Sequence, residues 1–315
     1  MSAARRRVYR GALAGVALAA SLGAHAALPA PARVSFPSLD RDASGNPVAV
    51  SALYFRPPQA APDVAVPLIV AAHGCGGMFS ANAKRRDQLS ERFAAWTEQF
   101  LAEGYAVLWP DSFNSRGRRS VCLAKRGEAT ISPMTRRLDV IGALAFAADD
   151  PGVDRTRMAL VGWSHGGSTA LAATNGRDAA VAAWLAAPGA PPPFRAAVAF
   201  YPGCVVSLRQ GAHWRPAVPL ALHVAELDDW SPPGACVQLG DAAHASGAPM
   251  TVTVHRGAHH GFDAPSGKVK LWRDVTTGAW PDRGVHVGPD PAARAAATDA
   301  VRAFLRERFA APSGR

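Results

Sequence analysis

The sequence predicts an α/β fold with a mostly parallel central sheet flanked by helices, and three observations carry that expectation. Short runs of Val, Ile, Leu and aromatic residues alternate with helical patterns. The runs are nearly continuous in apolar residues, so both faces of each strand are covered, as in a sheet with helices on each side. No internal repeat or composition break divides the chain. In order, strands are expected at 48–55 and 66–72, a helix at 88–103 and a strand at 105–109. A helix at 134–148 opens on the Ser132-Pro133 pair, and a strand at 158–163 leads into an Ala-rich helix at 164–173. Strands at 196–201 and 218–224, a helix at 233–246, a strand at 250–255 and a helix at 291–309 complete the alternation. The stretches 175–195 and 263–291 interrupt it and read as excursions over the sheet, which leaves one domain with its core at about 48–310.

Composition narrows the class. With 315 residues, 49% hydrophobic and 18% charged, the chain is too apolar for disorder and long enough to bury a sizeable core. Its net charge of +10 invites a nucleic-acid reading, but the charge is unevenly placed. Arg5, Arg6, Arg7 and Arg10 precede a charge-free run at 11–24 that ends in Ala24-His25-Ala26. That is the pattern of a secretory signal with an Ala-x-Ala cleavage site, and the run is too short to span a bilayer. Its removal leaves a mature excess of about +6. A periplasmic or secreted protein is expected, with residues 1–26 as signal peptide and 27–315 as the mature domain, without stable membrane insertion and with no nucleic-acid motif.

The strongest chemical signal is Gly162-Trp163-Ser164-His165-Gly166-Gly167, placed between a strand and a helix as a nucleophile elbow requires. A serine hydroxyl needs a base to take its proton and a carboxylate to orient that base. Asp228, in the segment 226–232 after one strand, and His260, in 257–262 after the next, supply them in the order Ser, acid, His. Asp229 and Glu226 are alternatives to Asp228. The loop His73-Gly74-Cys75-Gly76-Gly77 offers backbone amides for an oxyanion, and Cys75 and His165 are the expected donors. Trp163, Trp230 and His73 are candidates for the walls of a substrate pocket. No metal-binding spacing occurs, so neither a metal nor another cofactor is expected.

These segments, together with Tyr201-Pro202-Gly203-Cys204, resemble the dienelactone hydrolase family of α/β-hydrolases over roughly residues 48–310. The resemblance implies an α/β-hydrolase fold, a Ser or Cys, Asp, His triad and no cofactor. Members proper look to use cysteine where Ser164 stands, which favours a general carboxylic ester over a dienelactone. The elbow is also similar to that of prolyl-oligopeptidase-like serine peptidases, so an amidase is the alternative, and a non-catalytic hydrolase-fold protein binding an envelope polyanion is a third reading. The substrate is then a small-molecule or polymeric ester.

Four cysteines in an exported chain allow three pairings. Cys204 with Cys236 is favoured because both follow neighbouring strands near the site, with Cys75 and Cys122 as the second bridge. Arg116, Arg118, Arg119, Lys125 and Arg126 gather in the segment after 105–109, on the side where open α/β sheets bind ligands; they suggest an anionic substrate or a solvated basic loop. N-terminal sequencing of the exported protein is expected to begin at Ala27; a start at Met1 in the exported fraction would contradict the cleavage site.

Overall fold

The alternation read from the sequence is realised in a computed structural model that describes residues 28–124, 131–280 and 282–310. The expected signal peptide, and Lys125 and Arg126 of the basic segment, lie outside the described residues. The strands are β1 (Ala32–Arg41), β2 (Pro47–Phe55), β3 (Val66–Ala72), β4 (Ala106–Pro110), β5 (Val153–Trp163), β6 (Ala196–Phe200), β7 (Leu220–Ala225), β8 (Met250–His255), β9 (Lys270–Trp272) and β10 (Val285–Val287). The α-helices are α1 (Glu91–Ala102), α2 (Pro133–Ala148), α3 (His165–Ala173), α4 (Ala179–Leu185), α5 (Val205–Arg209), α6 (Gly234–Ala245) and α7 (Pro291–Ala310).

Eight strands form one sheet in the order β1-β2-β4-β3-β5-β6-β7-β8. The β1, β2 and β4 pairings are antiparallel, and every pairing from β4 through β3 to β8 is parallel. All six strands from β3 to β8 therefore present their C-terminal ends on one edge, where ligand sites of open α/β sheets form. Side chains alternate between two cores. Leu68, Val70 and Ala72 of β3 pack with Val140 and Leu144 of α2 and Leu171 of α3. Ile69 and Ala71 face the other way, toward Phe93 and Phe100 of α1 and Val301 and Leu305 of α7. This two-sided burial is why the strands read as continuous apolar runs.

Local signals set the helix boundaries. The Ser132 side chain accepts from the Thr135 amide and Pro133 takes the first helical position, so α2 starts where the Ser-Pro pair indicates. In α7, Ala293, Ala297, Val301, Leu305 and Phe309 recur every fourth residue and are all buried.

Several elements escaped the sequence reading. Strand β1 contains Pro37, which is tolerated because β1 is an edge strand whose register shifts between Pro37 and Arg41. Strand β5 begins at Val153, five residues before its apolar run, because Val153 pairs with Val66 across a polar Asp154–Arg157 stretch. Helices α4 and α5 and the β9–β10 pair lie in the segments between the main elements. Among the described residues no helix is long and apolar enough to cross a membrane.

His223 of β7 and His255 of β8 are buried beside each other, with 3.1 Å between Nδ1 and Nε2. Burial, then the neighbouring His255, lowers His223 to about 3. An unfolded histidine takes up its proton near ~6.5, whereas this one resists until far lower pH. The unfolded state thus binds more protons between these values, and stability falls as pH drops below ~6.5, by about 1.4 kcal/mol per pH unit from His223 alone. Urea unfolding at a series of pH values is expected to follow that slope, and His223→Gln to flatten it.

Candidate active site

Ser164 stands at the point where β5 turns into α3, with φ 54° and ψ −115°. A non-glycine residue rarely holds a positive φ, so the turn is strained and its neighbours must impose it. They do so by close approach. A Cβ at Gly162 would collide with the Gly166 carbonyl, and one at Gly166 with the Ala72 carbonyl at the end of β3. The Ser164 amide donates to the Phe200 carbonyl at 2.9 Å, tying the turn to β6.

The residues expected to act together converge. Ser164 Oγ lies 2.9 Å from His260 Nε2, and His260 Nδ1 lies 2.8 Å from Asp228 Oδ2. A carboxylate only accepts, so Nδ1 carries the imidazole proton and Nε2 accepts from the serine hydroxyl. Asp228 is 4% exposed, and its second oxygen accepts from the Trp230 and Ser231 amides at 2.9 and 2.7 Å. Its acidic neighbours do other things. Asp229 accepts from the His286 amide and ring, and its carbonyl accepts from Ala279, which pins the β9–β10 segment to the acid loop. Glu226 accepts from the Gly257 amide on the loop that carries His260.

Cys75 and His165 both line an open cleft of about 590 Å³ together with Ser164. Neither backbone amide donates to another group among the described residues. Behind them, Arg136 is buried and donates to the His73 carbonyl at 2.8 Å and to His165 Nδ1 at 2.9 Å. One guanidinium therefore bridges the Gly-rich loop and the residue after Ser164. Burial, then Arg136, lowers His165 to about 3, so this ring is neutral at any ordinary pH. Burial also lowers Arg136 to about 9, which keeps it charged at neutral pH.

Of the three expected pocket walls, Trp230 takes its place, lining the cleft with its ring 4.8 Å from that of His260. Trp163 and His73 do not. Trp163 is fully buried beneath the turn, parallel to Phe200 at 5.6 Å, because residues alternate across β5 and its side chain faces the α1 core. His73 is also fully buried, its ring 4.7 Å from Phe113 and its Nδ1 donating to the Gly74 carbonyl. Burial and Arg136 hold its pKa well below the usual histidine range.

The largest omission of the sequence reading is Asp263, which is fully buried three residues after His260. Its Oδ2 accepts from Trp96 and Trp163 Nε1 at 2.8 and 2.9 Å, and its Oδ1 from the Tyr201 hydroxyl at 2.5 Å. Arg92 lies 3.4 Å from Oδ1 and also donates to the Gly261 carbonyl. Tyr201 in turn packs its ring 4.5 Å from the His260 ring. The acidic residue directly after Gly261-Phe262 was the available signal, but only its four partners reveal why it is there.

A profile of the dienelactone hydrolase family matches residues 51–309. The chain belongs to the dienelactone hydrolase family. Among curated proteins, the quorum-quenching protein AidA of Acinetobacter baumannii is 34% identical over 148 residues, which cover 45% of this chain and 42% of AidA. The chain thus spans less than half the length of that relative. Among solved structures, the apo form of Thermogutta terrifontis esterase 2 is similar at a TM-score of 0.59 and 18% identity, covering 90% of this chain and 97% of that one. The same esterase phosphorylated by paraoxon gives 0.59 at 17% identity, over 90% and 97% of the two chains. Dipeptidyl peptidase 4 of Porphyromonas gingivalis gives 0.52 at 16% identity, covering 73% of this chain and 32% of that chain. At these identities the likeness is one of fold.

Two covalent ties frame the site of this dienelactone hydrolase family member. Both expected disulfides are present, Cys75–Cys122 and Cys204–Cys236, closing separations of 47 and 32 residues. Each is worth about 4 kcal/mol by loop-closure entropy. Two of the described cations of the basic segment are committed to internal bonds. Arg116 pairs with Asp40 and Asp139, and Arg119 donates to the Ser80 and Arg86 carbonyls. Among the described residues no group of three or more His, Cys, Asp or Glu side chains converges as a metal-ligand set.

Removing the Asp263 carboxylate strands two indole N–H groups, a phenol and a partly buried guanidinium. Asp263→Ala is expected to lower stability by about 3–5 kcal/mol, read from the shift in urea midpoint at constant m. A loss below about 1 kcal/mol would remove Asp263 from this role.

Proposed function

We propose that the chain is an exported serine hydrolase that cleaves carboxylic esters through an acyl-enzyme, with Ser164 as nucleophile, His260 as general base and Asp228 as its orienting acid. The observation that carries the reading is the unbroken Asp228, His260, Ser164 hydrogen-bond chain, which ends on a serine facing an open cleft. In the forward step Ser164 Oγ attacks the ester carbonyl while its proton moves to His260 Nε2. The Cys75 and His165 amides, without other partners among the described residues, stabilise the oxyanion of the tetrahedral intermediate. His260 then gives the proton to the departing alkoxide, and the acyl group stays on Ser164. Water, activated by the same imidazole, attacks the acyl carbon and releases the acid.

Family membership supports a hydrolase, and the likeness to an esterase that paraoxon phosphorylates supports a serine open to organophosphates. The signal-like residues 1–26 and the two disulfides support export. Internal engagement of Arg116 and Arg119 weighs against the polyanion-binding alternative.

Wild type is expected to take up a fluorophosphonate label and Ser164→Ala to lose it, with kcat falling by at least ~10⁴-fold. Asp228→Asn should cost ~10⁴-fold in kcat, and Asp229→Asn far less, because Asp229 serves the β9–β10 segment. Equal losses at the two positions would overturn the assignment of the acid. His165, held neutral down to about pH 3 by burial and by Arg136, is expected to add no titration of its own to the pH profile of activity above that value, and His165→Gln to leave the shape of that profile unchanged.

A further inference from the structure

The cleft has an unusual lining and an unusual rim. Among the described residues, no Lys, Arg, Asp or Glu lines it; its walls are the two disulfides, small residues such as Gly203 and Ala279, and the Trp230 ring. Two cations of the surrounding segments are turned inward, Arg136 on His73 and His165, and Arg116 on Asp40 and Asp139. A charged group entering the cleft would lose water and meet no counter-charge among the described lining residues.

The rim is apolar and exposed. Nine large apolar side chains stand exposed among the described residues, and five of them line this one opening, touch a lining residue or stand next to one in sequence. Val205 lines the cleft and Val206 follows it; Leu123 sits between the lining residues Cys122 and Ala124. Trp272 lies 5.7 Å from Trp230, and Trp280 follows the lining residue Ala279, with the Arg283 guanidinium 5.4 Å over its ring. Trp280 and Val206 are 58% and 61% exposed. Single exposed apolar residues need no explanation, but a cluster continuous with a pocket marks a surface that an apolar ligand covers.

We infer that the substrate is an uncharged ester with an extended apolar chain, which runs from Ser164 past Trp230 and out across the rim. This rests on the ester-hydrolase reading above. The chain would cover Val205, Val206, Trp272 and Trp280, removing both surfaces from water in the bound state. An anionic ligand, which the basic segment suggests in the sequence, finds no partner in the described part of the cleft.

The test compares p-nitrophenyl acetate, butyrate and octanoate with the p-nitrophenyl monoester of suberic acid, which matches octanoate in length but ends in a carboxylate. For the wild-type protein kcat/KM is expected to rise at least about tenfold from acetate to octanoate and to drop at least about tenfold from octanoate to the suberate monoester. Val206→Ser combined with Trp280→Ser is expected to cut the octanoate-to-acetate ratio by about fivefold or more. Val64→Ser, an exposed apolar position before β3 at the opposite end of the strands, should leave that ratio at its wild-type value. A flat chain-length profile, preference for the suberate monoester, or an unchanged ratio in the double variant would overturn the inference while ester hydrolysis stood. Absence of turnover on every ester together with absence of fluorophosphonate labelling would instead overturn the reading beneath it.

Discussion

A buried carboxylate must be surrounded by donors, and at Asp263 that requirement fixes the relation between the two halves of the site. Its donors come from α1, from the end of β5 and from the residue that follows β6, while Asp263 itself follows β8. Each donor sits next to something that matters. Trp163 precedes Ser164, Tyr201 packs on the His260 ring, and Arg92 also holds the carbonyl next to His260. A shift of either loop would strand hydrogen-bonding groups in an aromatic core, so the short contact from His260 to Ser164 is fixed from below.

The strained turn at Ser164 fits the same logic. Its positive φ costs on the order of 1–3 kcal/mol and persists only where the surroundings over-determine it. Gly162 and Gly166 let β3, β5 and α3 approach closely enough to do this, and the Ser164 amide anchors the turn to β6. Above, Arg136 holds the Gly-rich loop and the His165 ring together. Charge buried on both sides of the turn braces the site, while none of the described lining residues of the cleft is Lys, Arg, Asp or Glu.

How much of this was legible in the sequence depends on the range of the signal. Strand and helix order followed from local apolar patterns, and the convergence of Ser164, Asp228 and His260 followed because each ends a strand of one parallel sheet. The choice of Asp228 over Asp229 turns on which carboxylate faces inward, a matter of loop geometry that two adjacent identical residues do not encode. Trp163 adjoins the site in sequence but points away from it because the strand is pleated, and His73, just past the end of β3, is turned inward against Phe113. Asp263 and Arg136 escaped notice because their partners are distant in the chain: 167 residues separate Trp96 from Asp263. Strand β1 was hidden by Pro37, which marks a break in a central strand but is harmless at an edge.

Both disulfides contribute sulfur to the cleft walls, through Cys75 and Cys122 on one side and Cys204 on the other. This makes oxidation part of building the site. A newly made chain with free thiols lacks the tie that holds the Gly-rich loop to the segment around Cys122, and the tie that holds the turn after β6 to α6. Reduction of the two bridges is therefore expected to loosen the cleft walls themselves as well as to lower stability.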